Sequence, residues 1–210
     1  MGLSIIAIVL AGGRSSRMGT DKALLEIDGL PLLTRTCRVA GTIAAKTYII
    51  TPRTERYRSL LTQDCILIKE TIIEGENRSN GPLIGFDRAL NHLEKTNITA
   101  DWILLLACDL PCLDDRELPR WRQLLMTIDS ATMAFLPKNS KGWEALCGFY
   151  RPSCKVSLEA YIDSNRRSFQ GWLKDLAVEE LVVGDDRIFF NCNTPEDFIK
   201  IATEFDGDRG

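Results

Sequence analysis

The chain has one histidine, His92. It falls in the helix-like stretch Gly85–Lys95, where Phe86, Leu90 and Leu93 mark the core face and Arg88 and Lys95 the wet one, so His92 is expected at the surface. That leaves no usual general base and no Ser-His or Cys-His nucleophile pair. An excess of one charge is also missing. Lys and Arg number 26 against 29 Asp and Glu, a net charge of −3, so no nucleic-acid partner is expected. No apolar run is long enough to span a bilayer, and the N-terminal one lacks a signal peptide's basic leader. The expected location is therefore the cytoplasm, with no membrane partner. The seven cysteines are odd in number and show no paired C-x-x-C motifs, which argues against structural zinc and fits free thiols in a reducing compartment.

The 210 residues suffice for one α/β domain, expected to span 1–210 in two halves of about 1–110 and about 111–210. Apolar runs at Ile5–Leu10, Tyr48–Thr51, Cys65–Lys69, Trp102–Cys108 and Ala131–Leu136 lack clean alternation, as expected of strands covered on both faces. Helical spacing lies between them at Pro31–Ala45, Glu55–Leu61, Pro82–Lys95 and Asp114–Thr127. This βαβα order predicts a three-layer α/β/α fold with a mostly parallel sheet. Further on, Leu146–Tyr150, Val178–Val183 and Ile188–Phe190 read as strands, and Cys154–Ile162, Ser168–Leu176 and Thr194–Ala202 as helices, the last with Thr194 as N-cap.

Residues 10–22, LAGGRSSRMGTDK, follow the first strand directly. Gly12 and Gly13 let backbone approach a ligand closely, and successive N–H groups of such a loop make a concave anion site. Arg14, Arg17 and Lys22 add positive charge, and the Arg17 guanidinium can grip phosphate oxygens with a planar fork. A solvated basic turn is the plain alternative, but strand, glycines, arginine and lysine coincide in one short span, which favours a triphosphate site. The span is not a Walker loop, because Gly19 is followed by Thr20-Asp21-Lys22, and it lacks the G-x-G-x-x-G spacing of dinucleotide folds.

A second signal is Trp102–Asp109, WILLLACD. A carboxylate ending a buried strand is costly unless something positive meets it. Ligands in open α/β sheets bind beyond the carboxyl ends of the strands, so Asp109 is expected to face the first loop and hold Mg²⁺, which needs only one or two carboxylates plus substrate phosphates. Capping of the next turn is the alternative. Glu70 ends its strand at the same rim, with Glu74 and Glu76 as rivals in the loop that follows. Arg166-Arg167 precede a helix start and are candidates for an acceptor phosphate or a plain solvated turn. Trp143, Glu144 and Cys147 are expected to border the pocket without an assigned role. Cys108 and Cys112 read as packing residues, a metal or pterin contact being the alternative.

The first span resembles the L-A-G-G-x-S-x-R-M-G-x-D-K signature of nucleotidyltransferases that act on molybdopterin. Leu10, Ala11, Gly12, Gly13, Ser15, Arg17, Met18, Gly19, Asp21 and Lys22 all match. Gly81-Pro82-Leu83-Ile84-Gly85 is similar to that family's G-P-L-x-G segment, and Asn191-Cys192-Asn193-Thr194-Pro195 to its acceptor-side N-x-N-T-P. The resemblance implies a Rossmann-like nucleotidyltransferase fold and transfer of GMP from GTP to the terminal phosphate of molybdenum-bound molybdopterin. It implies nucleotide contacts from Leu10, Ala11, Gly12, Gly13, Lys22, Glu70 and Asp109, with Mg²⁺ on Asp109 and with Arg17 and Lys22 catalytic. Apo-molybdoenzymes or their chaperones would be its partners. The family carries aspartate where Glu70 stands and asparagine where Thr51 stands. A phosphate monoester is already mostly dianionic near neutral pH, so this chemistry needs no histidine base. The alternatives are a nucleotidyltransferase using CTP or a sugar-phosphate acceptor, and a non-catalytic carrier of molybdopterin or nucleotide.

Overall fold

Alternate side chains of Ile5–Leu10, the central strand β1, feed two separate cores. The structure is a computed structural model that describes residues 2–12, 21–70, 81–192 and 194–207. Ile5, Ala7 and Val9 face one side of the sheet and Ile6 and Ile8 the other, because successive strand residues project oppositely. With apolar partners on both sides, no polar face is needed.

After a 3₁₀ turn at Lys22–Leu24, the two-residue strands β2 (Glu26–Ile27) and β3 (Leu30–Pro31) form a hairpin. Asp28 (φ 57°) and Gly29 (φ 70°) close it in the left-handed conformations that a two-residue type I′ loop requires. Helix α1 (Leu32–Ala40) leads to β4 (Thr47–Thr51), the single turn α2 (Thr54–Tyr57) and β5 (Cys65–Lys69). Helix α3 (Gly81–Lys95) returns the chain to β6 (Trp102–Ala107), beside β1 on the side away from β4. There follow α4 (Glu117–Leu124), β7 (Ala134–Leu136), the small hairpin of β8 (Lys138–Asn139) and β9 (Gly142–Trp143), and β10 (Cys147–Tyr150). The described chain closes with α5 (Lys155–Asp163), α6 (Phe169–Leu173), β11 (Val178–Glu180) and α7 (Pro195–Gly207).

The main sheet has seven strands in the order β11-β7-β10-β6-β1-β4-β5. Strands β5, β4, β1 and β6 are mutually parallel, while β10 runs antiparallel between β6 and β7. Helices α1 and α4 cover one face with Leu33, Cys37, Leu118 and Trp121; α3, α5 and α6 cover the other with Phe86, Leu158 and Trp172. This is the expected three-layer α/β/α arrangement with a mostly parallel sheet. Chain progression reverses between β1 and β6, whose ends are in register at Leu10 and Ala107. In such sheets that reversal leaves a crevice at the carboxyl ends.

Three expected strands differ, and of Val178–Val183 only Val178–Glu180 pairs. Ile188–Phe190 does not pair; residues Asp186–Phe189 form a 3₁₀ turn, started by the Asp185 carboxylate accepting the Arg187 N–H at 2.9 Å. Ile188 and Phe189 are buried all the same, so their apolar character serves the core rather than a ladder. The Ala131–Leu136 run is strand only from Ala134, because Asp129 accepts the Ala131 N–H at 2.7 Å and holds a turn there. Helix α7 starts as expected. The Thr194 hydroxyl accepts the Asp197 N–H (3.2 Å) and the Asp197 carboxylate accepts the Thr194 N–H (2.9 Å), a reciprocal cap.

Candidate active site

The crevice between β1 and β6 is lined by Leu10, Ala11 and Gly12 from the first strand end and by Ala107, Cys108 and Asp109 from the second. Asp21, Lys22, Glu70, Gly81, Pro82 and Gly85 complete most of its wall. Two backbone hydrogen bonds fix the strand ends: Ala11 N–H donates to Ile50 (2.9 Å) and Cys108 N–H to Leu10 (3.3 Å). The buried Thr51 hydroxyl donates to the Ala11 carbonyl at 3.0 Å and accepts the Arg53 N–H at 3.1 Å. Thr51 thus acts on the backbone that carries Gly12.

Lys22 and Asp109 meet across the crevice, Nζ to Oδ2 at 3.7 Å. Burial raises the Asp109 carboxyl above the ordinary carboxylate range, with the Lys22 ammonium pulling it back. The loop behind Asp109 is held from two sides. Arg35 on α1 donates through Nε to the Pro111 carbonyl (2.9 Å), and the Cys192 N–H donates to the Asp109 carbonyl (3.3 Å). The second contact brings Cys192 to the strand end through backbone alone.

Glu70 reaches the crevice from the end of β5 with its side chain only 6% exposed. Arg88 of α3 pairs with it at 3.4 Å, and burial raises its carboxyl despite that partner. A methyl group on Gly12 would lie 2.5 Å from Glu70 Oε2, so glycine there leaves room for the Glu70 carboxylate where it now stands. Arg88, expected on the wet face of its helix, is instead half-buried against a crevice carboxylate. Its period along α3 could not reveal this, since only the β5 end supplies the partner.

Asp21 also lines the crevice, yet its side chain, 6% exposed, is occupied elsewhere. The Tyr57 hydroxyl sits 2.9 Å from both carboxylate oxygens, with Arg56 at 3.2 Å and Arg53 at 3.4 Å from Oδ2. Burial pushes the Tyr57 phenol up to about 12, so it stays a donor at neutral pH. Asp21 therefore anchors the segment that carries Lys22 to the turn after β4. The sequence signal for this was the Asp-Lys pair itself; the partners, more than thirty residues on, were not legible.

Gly13, Arg14, Arg17, Glu74, Glu76 and Asn193 lie outside the described residues. His92 is half-buried rather than at the open surface, its ring 6.1 Å from that of Tyr48, and it is not part of the crevice lining. Arg166 stacks on Tyr161 (4.1 Å) and Arg167 donates to the Ile162 carbonyl (2.8 Å), and neither lines the crevice. Trp143 is held by Gln170, whose Nε2 donates to its carbonyl at 2.6 Å; Leu146, three residues later, does line the crevice. The Cys147 thiol is buried and pushed up, as befits packing.

Among the described residues no cluster of three metal-binding side chains occurs. A cation at this site would rest on the Asp109 carboxylate and on oxygens brought by a ligand, an arrangement that suits Mg²⁺. With a lysine beside that carboxylate, the crevice can hold a polyphosphate and its counterion together.

A probable molybdenum cofactor guanylyltransferase of Trichormus variabilis is 45% identical over 203 residues, covering 97% of this chain and 93% of that protein. One from Synechococcus elongatus is 42% identical over 196 residues, covering 93% and 97%. In fold the chain is similar to molybdopterin-guanine dinucleotide biosynthesis protein A of Archaeoglobus fulgidus, with TM-score 0.73 at 23% identity over 97% of this chain and 99% of that one. A Methanothermobacter nucleotidyl transferase gives TM-score 0.74 at 18% identity over 97% and 98%. Residues 7–179, which contain the ends of both crevice-forming strands, match the MobA-like NTP transferase domain, and the chain belongs to that family.

Proposed function

We propose that this protein transfers GMP from GTP to the terminal phosphate of molybdenum-bound molybdopterin, yielding the molybdopterin guanine dinucleotide cofactor and pyrophosphate. The carrying observation is the Lys22–Asp109 pair, 3.7 Å apart across the crevice, in a chain of this family. The names borne by its relatives support guanylyl transfer to molybdopterin in particular.

In this reading the backbone of Leu10, Ala11, Gly12 and Gly13 receives the nucleotide phosphates, and Glu70 contacts the nucleoside from the β5 side. Lys22, with Arg17, offsets negative charge developing on the attacked α-phosphate and on departing pyrophosphate. The acceptor phosphate arrives ionised, so the absence of a histidine base costs nothing. Asp109 would hold Mg²⁺, which when bound neutralises phosphate charge and orients the triphosphate. Asp21 keeps Lys22 on the crevice wall, and Arg88 keeps Glu70 pointed inward. We place the enzyme in the cytoplasm, in keeping with cysteines that form no disulfide among the described residues. No described helix is long and apolar enough to cross a membrane.

The test is incubation of the protein with MgCl₂, labelled GTP or CTP, and molybdopterin. Label from GTP should appear in a dinucleotide product with equimolar pyrophosphate. Transfer from CTP in preference to GTP would overturn the guanylyl assignment, and binding without pyrophosphate release would make the protein a carrier.

A further inference from the structure

Strands β1 and β4 form a regular parallel ladder until it meets a proline. In such a ladder a residue donates to the carbonyl just before its partner and accepts from the N–H just after it. Ala7, partnered by Thr47, donates to the Lys46 carbonyl in this way. Ala11 keeps the first half of the pattern, its N–H donating to Ile50 at 2.9 Å. The second half would come from residue 52, which is proline and has no N–H to give. The gap faces β1, because the Thr51 carbonyl is turned to β5, where it accepts the Glu70 N–H at 2.8 Å, and the polar groups of one trans peptide point oppositely. The Thr51 hydroxyl fills that gap. It is fully buried, donates to the Ala11 carbonyl at 3.0 Å and accepts the Arg53 N–H at 3.1 Å.

One peptide plane is thereby locked. With the Ala11 carbonyl held toward β4, the Gly12 N–H on the same plane points the other way, to the β6 side. The ladder has ended there. Its last bond from β6 runs from the Cys108 N–H to the Leu10 carbonyl, and the Gly12 N–H meets no acceptor among the described residues. Gly12 lines the crevice together with Lys22 and Asp109. Half a turn of that plane would aim the Ala11 oxygen into the crevice instead. An oxygen repels phosphate where an N–H receives it.

We infer that Thr51 is a positioning residue of this site, whose hydroxyl stands in for the N–H that Pro52 lacks and keeps the Gly12 N–H turned toward a phosphate oxygen of the bound nucleoside triphosphate. This rests on the nucleotide-binding reading given above. Thr51 is enclosed by backbone and acts through the Ala11–Gly12 peptide, not by touching the ligand. Its second hydrogen bond carries the same fixing to the turn after β4, where Arg53 pairs with Asp21 at 3.4 Å beside Lys22. One buried hydroxyl thus sets a backbone donor on one wall of the crevice and braces the segment that brings the lysine.

Affinities for GTP and for guanosine are measured by displacement of a fluorescent GTP analogue. Thr51→Val keeps the volume and removes the donor; it should weaken GTP about tenfold and guanosine less than about twofold, whereas a merely structural loss moves both. Thr51→Ser keeps the hydroxyl and should stay within about twofold of wild type for both ligands. Pro52→Ala in the Thr51→Val background returns an N–H that faces the Ala11 carbonyl, and should recover most of the lost GTP affinity. In wild-type protein labelled with ¹⁵N-glycine, the Gly12 amide proton should move downfield when GTP is added, a measurement that needs no variant to fold. Equal loss of GTP and guanosine in Thr51→Val, no loss of either, no recovery with Pro52→Ala, or a Gly12 amide indifferent to bound GTP overturns the inference. No acceptor enters these measurements. A wild type that transfers no GMP to molybdopterin fails the proposed function, whereas Thr51→Val with full GTP affinity fails the positioning role alone.

Discussion

Replacement of Gly12 by alanine tests whether the crevice wall depends on the close approach of the Glu70 carboxylate to Gly12. The added methyl carbon would sit 2.5 Å from Glu70 Oε2, against 3.6 Å from Glu70 Cδ and 3.6 Å from Pro52 Cδ. The oxygen must retreat by about 1 Å to reach ordinary contact. Glu70 has little room for it, since its side chain is 6% exposed and its other oxygen pairs with Arg88 at 3.4 Å. Overpacking of this kind costs about 1–3 kcal/mol. At about 2–4 °C per kcal/mol for a chain of this size, Gly12→Ala should melt about 4–8 °C below wild type for a cost near 2 kcal/mol. In a Glu70→Ala background the obstructing carboxylate is gone and Pro52 is at normal contact, so the same substitution should cost less than about 0.5 kcal/mol. Urea unfolding of the four proteins in one buffer measures the cycle. Equal costs of Gly12→Ala with and without Glu70 would refute the argument.

Lys22→Ala should lower the rate of pyrophosphate release by about 10²–10³-fold while GTP affinity by calorimetry falls far less, since its charge matters most as charge develops; near-normal turnover removes its assigned role. Asp21→Ala frees the Lys22 segment from Tyr57, Arg53 and Arg56, and should lower kcat about tenfold or more at saturating GTP, with Asp21→Asn retaining part of it because an amide still accepts from Tyr57; kcat unchanged in both variants discards the anchor. Asp109→Asn should abolish Mg²⁺-supported transfer yet raise the melting temperature at pH 7. The sign follows from the raised Asp109 pKa: stability present below the unfolded carboxyl value of about 3.9 is lost as pH rises through the folded one, so the advantage of Asn should vanish near pH 4 in melting scans. Thr194→Ala removes one half of the reciprocal cap on α7 and should cost about 1 kcal/mol in urea unfolding without changing GTP affinity.

Some of the architecture was readable residue by residue. Ile5–Leu10 and Cys65–Lys69 form strands with the boundaries expected of them, because an apolar run covered on both faces can be little else at that length. The antiparallel insertion of β10 between β6 and β7 was not readable, since strand order depends on which edges meet and no local pattern encodes it. Ile188–Phe190 misled for a related reason: apolar residues report burial, and a 3₁₀ turn buries them as well as a ladder does. At the site, Lys22 and Asp109 could be paired in advance because both follow parallel strand ends. Arg88, Asp21 and Thr51 owe their roles to partners between 18 and 40 residues away. Their own neighbours in the chain say nothing about that.

By itself the order of amino acids determined the chemical kit: a glycine turn after a buried strand, a lysine at its end, and one acid closing a second strand. It determined the layered fold too, through apolar runs that exclude a wet face. Only the tertiary structure decided how the kit is tuned. The fold brings the buried Glu70 carboxylate up against Gly12, and packing the turn after β4 onto Asp21 consumes a carboxylate that the sequence leaves unassigned. Burial and charge pairing depend on what lies across the fold, and that is settled when the layers close.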